Sequence, residues 1–147
     1  MPTKLELDPT NEIHARTLER LETDEIGWLG TNGRDGYPHA VPVWFFWHEG
    51  TILVFVQPHS VKTRNIQADP KVLFHLETDE VGDDVHIIQG TAVISPESTR
   101  VWIDRLGDAY FAKYQAALDR LGWKIDRIED EYSVAVVITP EKFIGWL

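Results

Sequence analysis

The sequence predicts a mainly β protein with inserted helices, in which six strands build an antiparallel barrel, closed or split. Three observations lead there. From Glu25 onward, short apolar runs rich in β-branched and aromatic residues recur, each bounded by turn residues. Tight turns join the strand pairs, which suits antiparallel hairpins and not the long crossovers of a doubly wound sheet. With 147 residues, the chain can bury one hydrophobic core but not two ordinary ones, so a single domain over 1–147 is expected.

The elements follow in order. A helix over 9–22 opens the chain: Asp8 can cap it, Pro9 suits the first helical position, and Ile13, Leu18 and Leu21 give a loose apolar stripe to lie on the core. The first strand, Ile26 to Thr31, ends in the hairpin turn Asn32-Gly33-Arg34-Asp35-Gly36. The second, Pro38 to Trp47, is too aromatic on both faces for a half-solvated strand, so protein, a ligand or a second subunit must cover both. Pro42 inside it cannot donate a ladder hydrogen bond, which places it at an edge or bulge where backbone groups stay available to a ligand. Glu49-Gly50 turns into a strand from Thr51 to Val56. A short helix from Ser60 to about Ala68 is stopped by Asp69-Pro70, because a residue before proline is pushed out of the helical region. Strands follow at Lys71 to Leu76 and Val85 to Ile94. Ser95-Pro96 opens a helical insertion, about 96–121, whose Phe111, Tyr114, Ala117, Leu118 and Leu121 recur at helical spacing and read as core packing. The last strand, Tyr132 to Thr139, leaves a short tail, Phe143 to Leu147.

Composition removes several functions. Asp and Glu number 24 against 14 Lys and Arg, a net charge of -10, so nucleic acid is not an expected partner. The absence of Cys excludes disulfides, thiolate metal sites and thiol nucleophiles. The stretch from Met1 to Asp8 lacks the apolar run of a signal peptide, and no segment approaches ~20 apolar residues. A cytoplasmic protein without a membrane partner is the expectation. The histidines at 14, 39, 48, 59, 75 and 86 show no metal-site spacing, so no metal is expected. Neither a Gly-x-Ser-x-Gly elbow nor a Walker sequence occurs, and Gly27, Gly30, Gly33 and Gly36 do not make a dinucleotide loop.

The most informative segment is Gln57-Pro58-His59-Ser60-Val61-Lys62-Thr63-Arg64-Asn65, directly after a strand and opening a helix. Ser60 is a good N-cap, the first-turn N–H groups carry the positive end of the helix dipole, and Lys62 and Arg64 add charge in an acidic chain. That is the makeup of a phosphate cradle, and equally of a capped surface helix with two solvated cations. His59, next to Ser60, is a minor candidate for the same site. An anion cradle beside an aromatic strand, with no evident acid, base or nucleophile, does chemistry only through a cofactor. A planar redox cofactor would rest its ring on Val43 and Trp44 and its phosphate on Ser60, Lys62 and Arg64.

The run Gly30 to His39, followed by Pro42-Val43-Trp44-Phe45, Ser60-Val61-Lys62-Thr63-Arg64-Asn65 and Asp69-Pro70-Lys71-Val72, resembles the pyridoxamine 5′-phosphate oxidase-like flavoproteins. Within them it is most similar to the coenzyme F420-dependent subgroup, the flavin/deazaflavin oxidoreductases of the B type. The resemblance implies a six-stranded antiparallel split β-barrel of the FMN-binding type, forming a homodimer with two cofactor sites at the subunit interface. It implies that the backbone of Val41, Pro42, Val43 and Trp44 faces the ring, that Ser60 and Lys62 hold the phosphate, and that Gln57 lies near the polyol. Arg64 and Asn65 continue the cradle, and Trp146 is a candidate contributed by the other subunit. The vitamin B6 oxidase carries a C-terminal Arg-rich, His-containing segment, whereas no Arg or His follows Arg127 here, so oxidation of pyridoxamine phosphate is disfavoured. The expected function is an F420-dependent oxidoreductase passing a hydride between the deazaflavin ring and a small organic substrate, with no catalytic side chain identified. The alternatives are an FMN-dependent enzyme of the same fold, a non-catalytic flavin- or deazaflavin-binding dimer, and a hydrophobe carrier that would have no use for Lys62.

Overall fold

The computed structural model describes residues 4–147, so the first three positions of the expected domain lie outside it. Helix α1 (Glu12–Thr23) begins later than Pro9. Asp8 Oδ1 instead accepts from the backbone N–H and the hydroxyl of Thr10, at 2.9 and 2.7 Å, and closes a local turn. Asn11 then caps the helix, its side chain accepting from the N–H groups of Ile13 and His14.

Strands β1 (Ile26–Asn32), β2 (Pro38–Trp44), β3 (Phe46–His48) and β4 (Thr51–Val56) precede α2 (Val61–Ala68). There follow β5 (Lys71–His75), β6 (Val85–Ser98), α3 (Thr99–Leu106), α4 (Asp108–Leu121), α5 (Ile125–Glu131) and β7 (Val134–Trp146). All pairings are antiparallel, in the order β2-β1-β5-β6-β7-β4-β3. The expected six-stranded barrel is therefore corrected to seven strands in a sheet that does not close. The reason lies at Phe45. The run from Pro38 to Trp47 is not one strand; it breaks there, leaving β2 on one edge of the sheet and β3 on the other. Consecutive Cα atoms are ~3.8 Å apart, so the sheet must curl until its two edges meet at that residue, yet no ladder joins them.

The break is held from outside the sheet. Phe45 N–H donates to the Tyr114 hydroxyl at 2.8 Å, and that oxygen also lies 2.6 Å from Phe45 O and 2.7 Å from Glu25 O. The phenol stands in for the ladder partners that Phe45 lacks.

Three further boundaries move. Ser95 and Pro96 belong to β6, past an irregularity in its pairing with β7, and Ser98 caps the helical insertion. The expected tail is the end of β7, with Trp146 paired opposite Val85. Helix α5 was not foreseen, since its sequence offers little apolar periodicity and is anchored by one buried side chain, Ile128.

Two apolar layers result. The inside of the sheet packs Leu29, Phe45, Ile52, Val54, Phe74, Ile88, Val136 and Ile138, with Trp47 against them. Outside β3 and β4, the helical insertion packs Ile103, Tyr110, Tyr114, Leu118 and Ile128, with Trp44, Phe46 and Phe55 against them. Both faces of the aromatic stretch are thus covered by the chain itself. No helix among the described residues is long and apolar enough to cross a membrane.

Candidate functional site

Alternation along an extended chain sends Trp44 and Phe46 to one side and Phe45 and Trp47 to the other. On the Trp44 side, between the end of β2 and helices α4 and α5, lies a cavity of about 290 Å³, at the lower end of the range for small-molecule sites. Its floor is Pro42, Val43, Trp44 and Phe46, its roof Tyr110, Tyr114, Trp123 and Ile128, and Lys62 enters from α2. Trp44 stacks on Tyr114 with centroids 4.7 Å apart and planes within 8°. Burial drives the Tyr110 and Tyr114 phenols above the ordinary tyrosine range, so both stay neutral, and the Tyr114 hydroxyl keeps its proton for the carbonyls of Phe45 and Glu25.

Lys62 is the cavity's cation. It is half-buried, and the desolvation lowers its pKa from the usual lysine value. Among the described residues no carboxylate oxygen lies within 4.0 Å of its ammonium. A partly dehydrated ammonium on an apolar cavity is a place for a ligand anion.

Helix α2 delivers Lys62 through a tightly specified start. Ser60 Oγ accepts from Thr63 N–H at 3.3 Å and meets Thr63 Oγ1 at 2.8 Å, while Thr63 Oγ1 donates to Gln57 O at 2.8 Å. The Thr63 proton is spent on Gln57, so the Ser60 proton must go to Thr63, and Ser60 acts here as a cap with no proton left for a ligand. The N–H groups of Val61 and Lys62 have no partner within the helix and remain available to an anion. Asn65 is buried and donates from Nδ2 to Thr31 Oγ1 at 3.0 Å, which pins α2 to β1.

Of the residues singled out from the sequence, the structure gathers Pro42, Val43, Trp44 and Lys62 around this cavity. Val41 faces the inner core, Gln57, His59 and Arg64 are exposed near the start of α2, and Ser60 and Asn65 shape that helix without lining the cavity. Trp146, 46% exposed, stands at the end of β7 opposite Val85, and does not line it. The roof was missed as a site feature. Tyr110 and Tyr114 sit one helical turn apart, the spacing of ordinary core packing, and only the tertiary structure turns that face toward Trp44.

Solved structures with this architecture include a conserved hypothetical protein from Mycobacterium tuberculosis, 23% identical, with a TM-score of 0.71 over 98% of this chain and 89% of the other. An F420 reductase is also 23% identical, at a TM-score of 0.63 over 86% of this chain and 94% of its own. A FAD-binding protein from Mesorhizobium loti is 18% identical, at 0.60 over 86% and 88%. Identities this low establish a shared fold. No curated protein sequence matches the chain. The family model for pyridoxamine 5′-phosphate oxidase matches residues 13–147, from the first turn of α1 to the last residue of the chain. With nearly the whole of its sequence covered, this chain belongs to the pyridoxamine 5′-phosphate oxidase family.

Proposed function

We propose that the protein is an F420-dependent oxidoreductase that acts on a small organic substrate, with FMN as the alternative cofactor. The observation that carries this reading is Lys62, a half-buried cation without a carboxylate partner among the described residues, opening on an aromatic cavity floored by Pro42, Val43 and Trp44. The residues fit a phosphorylated tricycle: an apolar slot for a flat ring and, for a phosphate, a cation on a helix whose first N–H groups are unused. When bound, a deazaflavin supplies a ring carbon that carries or accepts a hydride.

The chain's own part is binding, orientation and water exclusion. Lys62 and the N–H groups of Val61 and Lys62 hold the phosphate, and the nearby Arg64 adds positive potential in a chain of net charge -10. The backbone from Val41 to Trp44 lies along the ring, and the Trp44–Tyr114 stack closes the far wall against water. Gln57 and Asn65 belong to the proposed cradle as the segments flanking and anchoring α2. Reach beyond one subunit comes from a homodimer, with Trp146 offered to the partner's site. In support, the outer face of β5, β6 and β7 exposes Leu73, Val93, Ile144 and Trp146, apolar side chains interspersed with Gln89, Thr91 and Lys142, which a second copy would cover.

The test is titration of the purified chain with F420 and with FMN, followed by quenching of tryptophan fluorescence. F420 is expected to bind more tightly. Lys62→Ala should weaken that binding by about 1.5–3 kcal/mol, the range of a hydrogen bond to a charged group, without changing the unfolding midpoint. Absence of binding by either cofactor would overturn the reading; tighter FMN binding would select the alternative.

A further inference from the structure

A second cleft, of about 650 Å³, opens between the end of α1, the start of β1, β3 and α4, and is lined by Leu21, Glu22, Glu25, Phe46, Trp47 and Lys113. Phe46 borders both this cleft and the aromatic cavity. Lys113 projects from α4 so that Nζ lies 3.8 Å from the centroid of the Phe45 ring and donates to Leu21 O at 3.3 Å. Leu21 is in the last turn of α1, where carbonyls lack helix partners and the dipole is negative. Among the described residues no carboxylate oxygen comes within 4.0 Å of this ammonium. Lys113 is thus a partly buried amine on the wall of an open cleft, unclaimed by the cofactor reading.

We propose that Lys113 is an amine site for flat, uncharged aldehydes, with which it condenses to an imine. The nitrogen lone pair forms an N–C bond to the carbonyl carbon, and the C=O π pair moves to oxygen, which takes a proton. The resulting hydroxyl leaves as water, the Lys113 ammonium having given up two of its three protons over the sequence, and a protonated C=N bond remains. One amine and one aldehyde give one imine and one water, with no oxidant or reductant.

The surroundings select this class of electrophile. Leu21 O, the Phe45 face, Glu22 and Glu25 all favour a nitrogen that keeps positive charge, as a protonated imine does and an amide does not. A carbamate, or an aldehyde bearing phosphate, would bring negative charge into a cleft already lined by carboxylates. Phe46 and Trp47 offer apolar walls to a flat molecule. Burial also pushes the Lys113 pKa down to about 8, against the opposing pull of Asp24, Glu25 and Glu22, which raises the share of neutral, nucleophilic amine near neutral pH above that of an ordinary lysine.

The full chain, incubated with benzaldehyde near pH 7.5 and trapped with cyanoborohydride, is mapped by peptide mass spectrometry at low labelling. Lys113 is expected to be marked at least about ten-fold faster than the exposed Lys124 and Lys142, and pyridoxal phosphate should lose that preference. Lys113→Arg, which keeps the charge and the bond to Leu21, should abolish the fast label while leaving the slow ones. Equal or slower marking of Lys113, or an undiminished fast label in Lys113→Arg, would overturn the proposal.

Discussion

Two side chains illustrate what single residues decide. The Tyr114 hydroxyl serves Phe45 N–H, Phe45 O and Glu25 O together, so Tyr114→Phe leaves buried backbone groups unpaired at the point where the sheet splits. A loss of about 1–3 kcal/mol is expected from denaturant titration, in contrast to Lys62→Ala, which leaves the unfolding midpoint unchanged. Asp84 anchors the other end of the molecule. It accepts from Arg16 at 3.0 Å and pairs with His86 at 2.7 Å, and His86 meets Thr17 of α1 at 2.5 Å. The hydrogen bond from Arg16, helped by His86 and Arg20, holds the Asp84 pKa down at about 2 against an ordinary 3.8. Folding therefore favours the ionised form, and this stability is full above about pH 4 and is lost as pH falls through about 2. For a side chain 21% exposed, solvent screening reduces the effect to about 1–2 kcal/mol. Asp84→Asn tolerates the positive φ of 57° and should flatten the acid limb of the stability curve between about pH 4 and 2; an unchanged limb would place the acid sensitivity elsewhere. Neither role was legible in the sequence. Tyr114 read as one core residue among several, and no local pattern singled out Asp84, since their partners are 69 and 68 residues away.

At the scale of elements, the sequence specified what is local. Ser60 as the cap of α2 and Pro70 as its stop are chemistry between near neighbours, and the helix runs between them, Val61–Ala68. The hairpin of β1 and β2 follows from its Gly-rich turn, with Asn32 paired to Pro38. What escaped was set by pairing at a distance. β6 continues through Pro96 because β7 still runs beside it to Val134, although Ser-Pro locally suits a helix start. The β6–β7 ladder shifts register at Gly90, where a Cβ would stand 2.4 Å from the carbonyl oxygen of Thr139. Backbone cannot yield as a flexible side chain does, so Gly90→Ala is expected to destabilise by about 1–3 kcal/mol and to raise amide exchange along β6 and β7; normal protection there would show that the ladder absorbs the methyl.

For the whole molecule, the central consequence of the topology is that β2 and β3, joined through Phe45, end on opposite edges of one sheet. That opening, roofed by α4 and α5, holds the cavity that Lys62 and Trp44 both line. The proposed dimer belongs to this scale. Sedimentation is expected to give twice the monomer mass, and Val93→Asp, on the outer face of β6 and 58% exposed, should shift the protein to monomer and weaken the cofactor together. A monomeric wild type would remove Trp146 from the site and leave the cavity of the single chain. By itself the sequence determined the strand-rich class, the capped α2 with its cation, and the aromatic run that needed cover on both faces, because periodicity, capping and proline act over a few residues. Only the tertiary structure decided that the run breaks at Phe45, that the chain's own helices cover it, and that a sheet of seven strands stays open, because each depends on a hydroxyl or a strand brought from far along the chain.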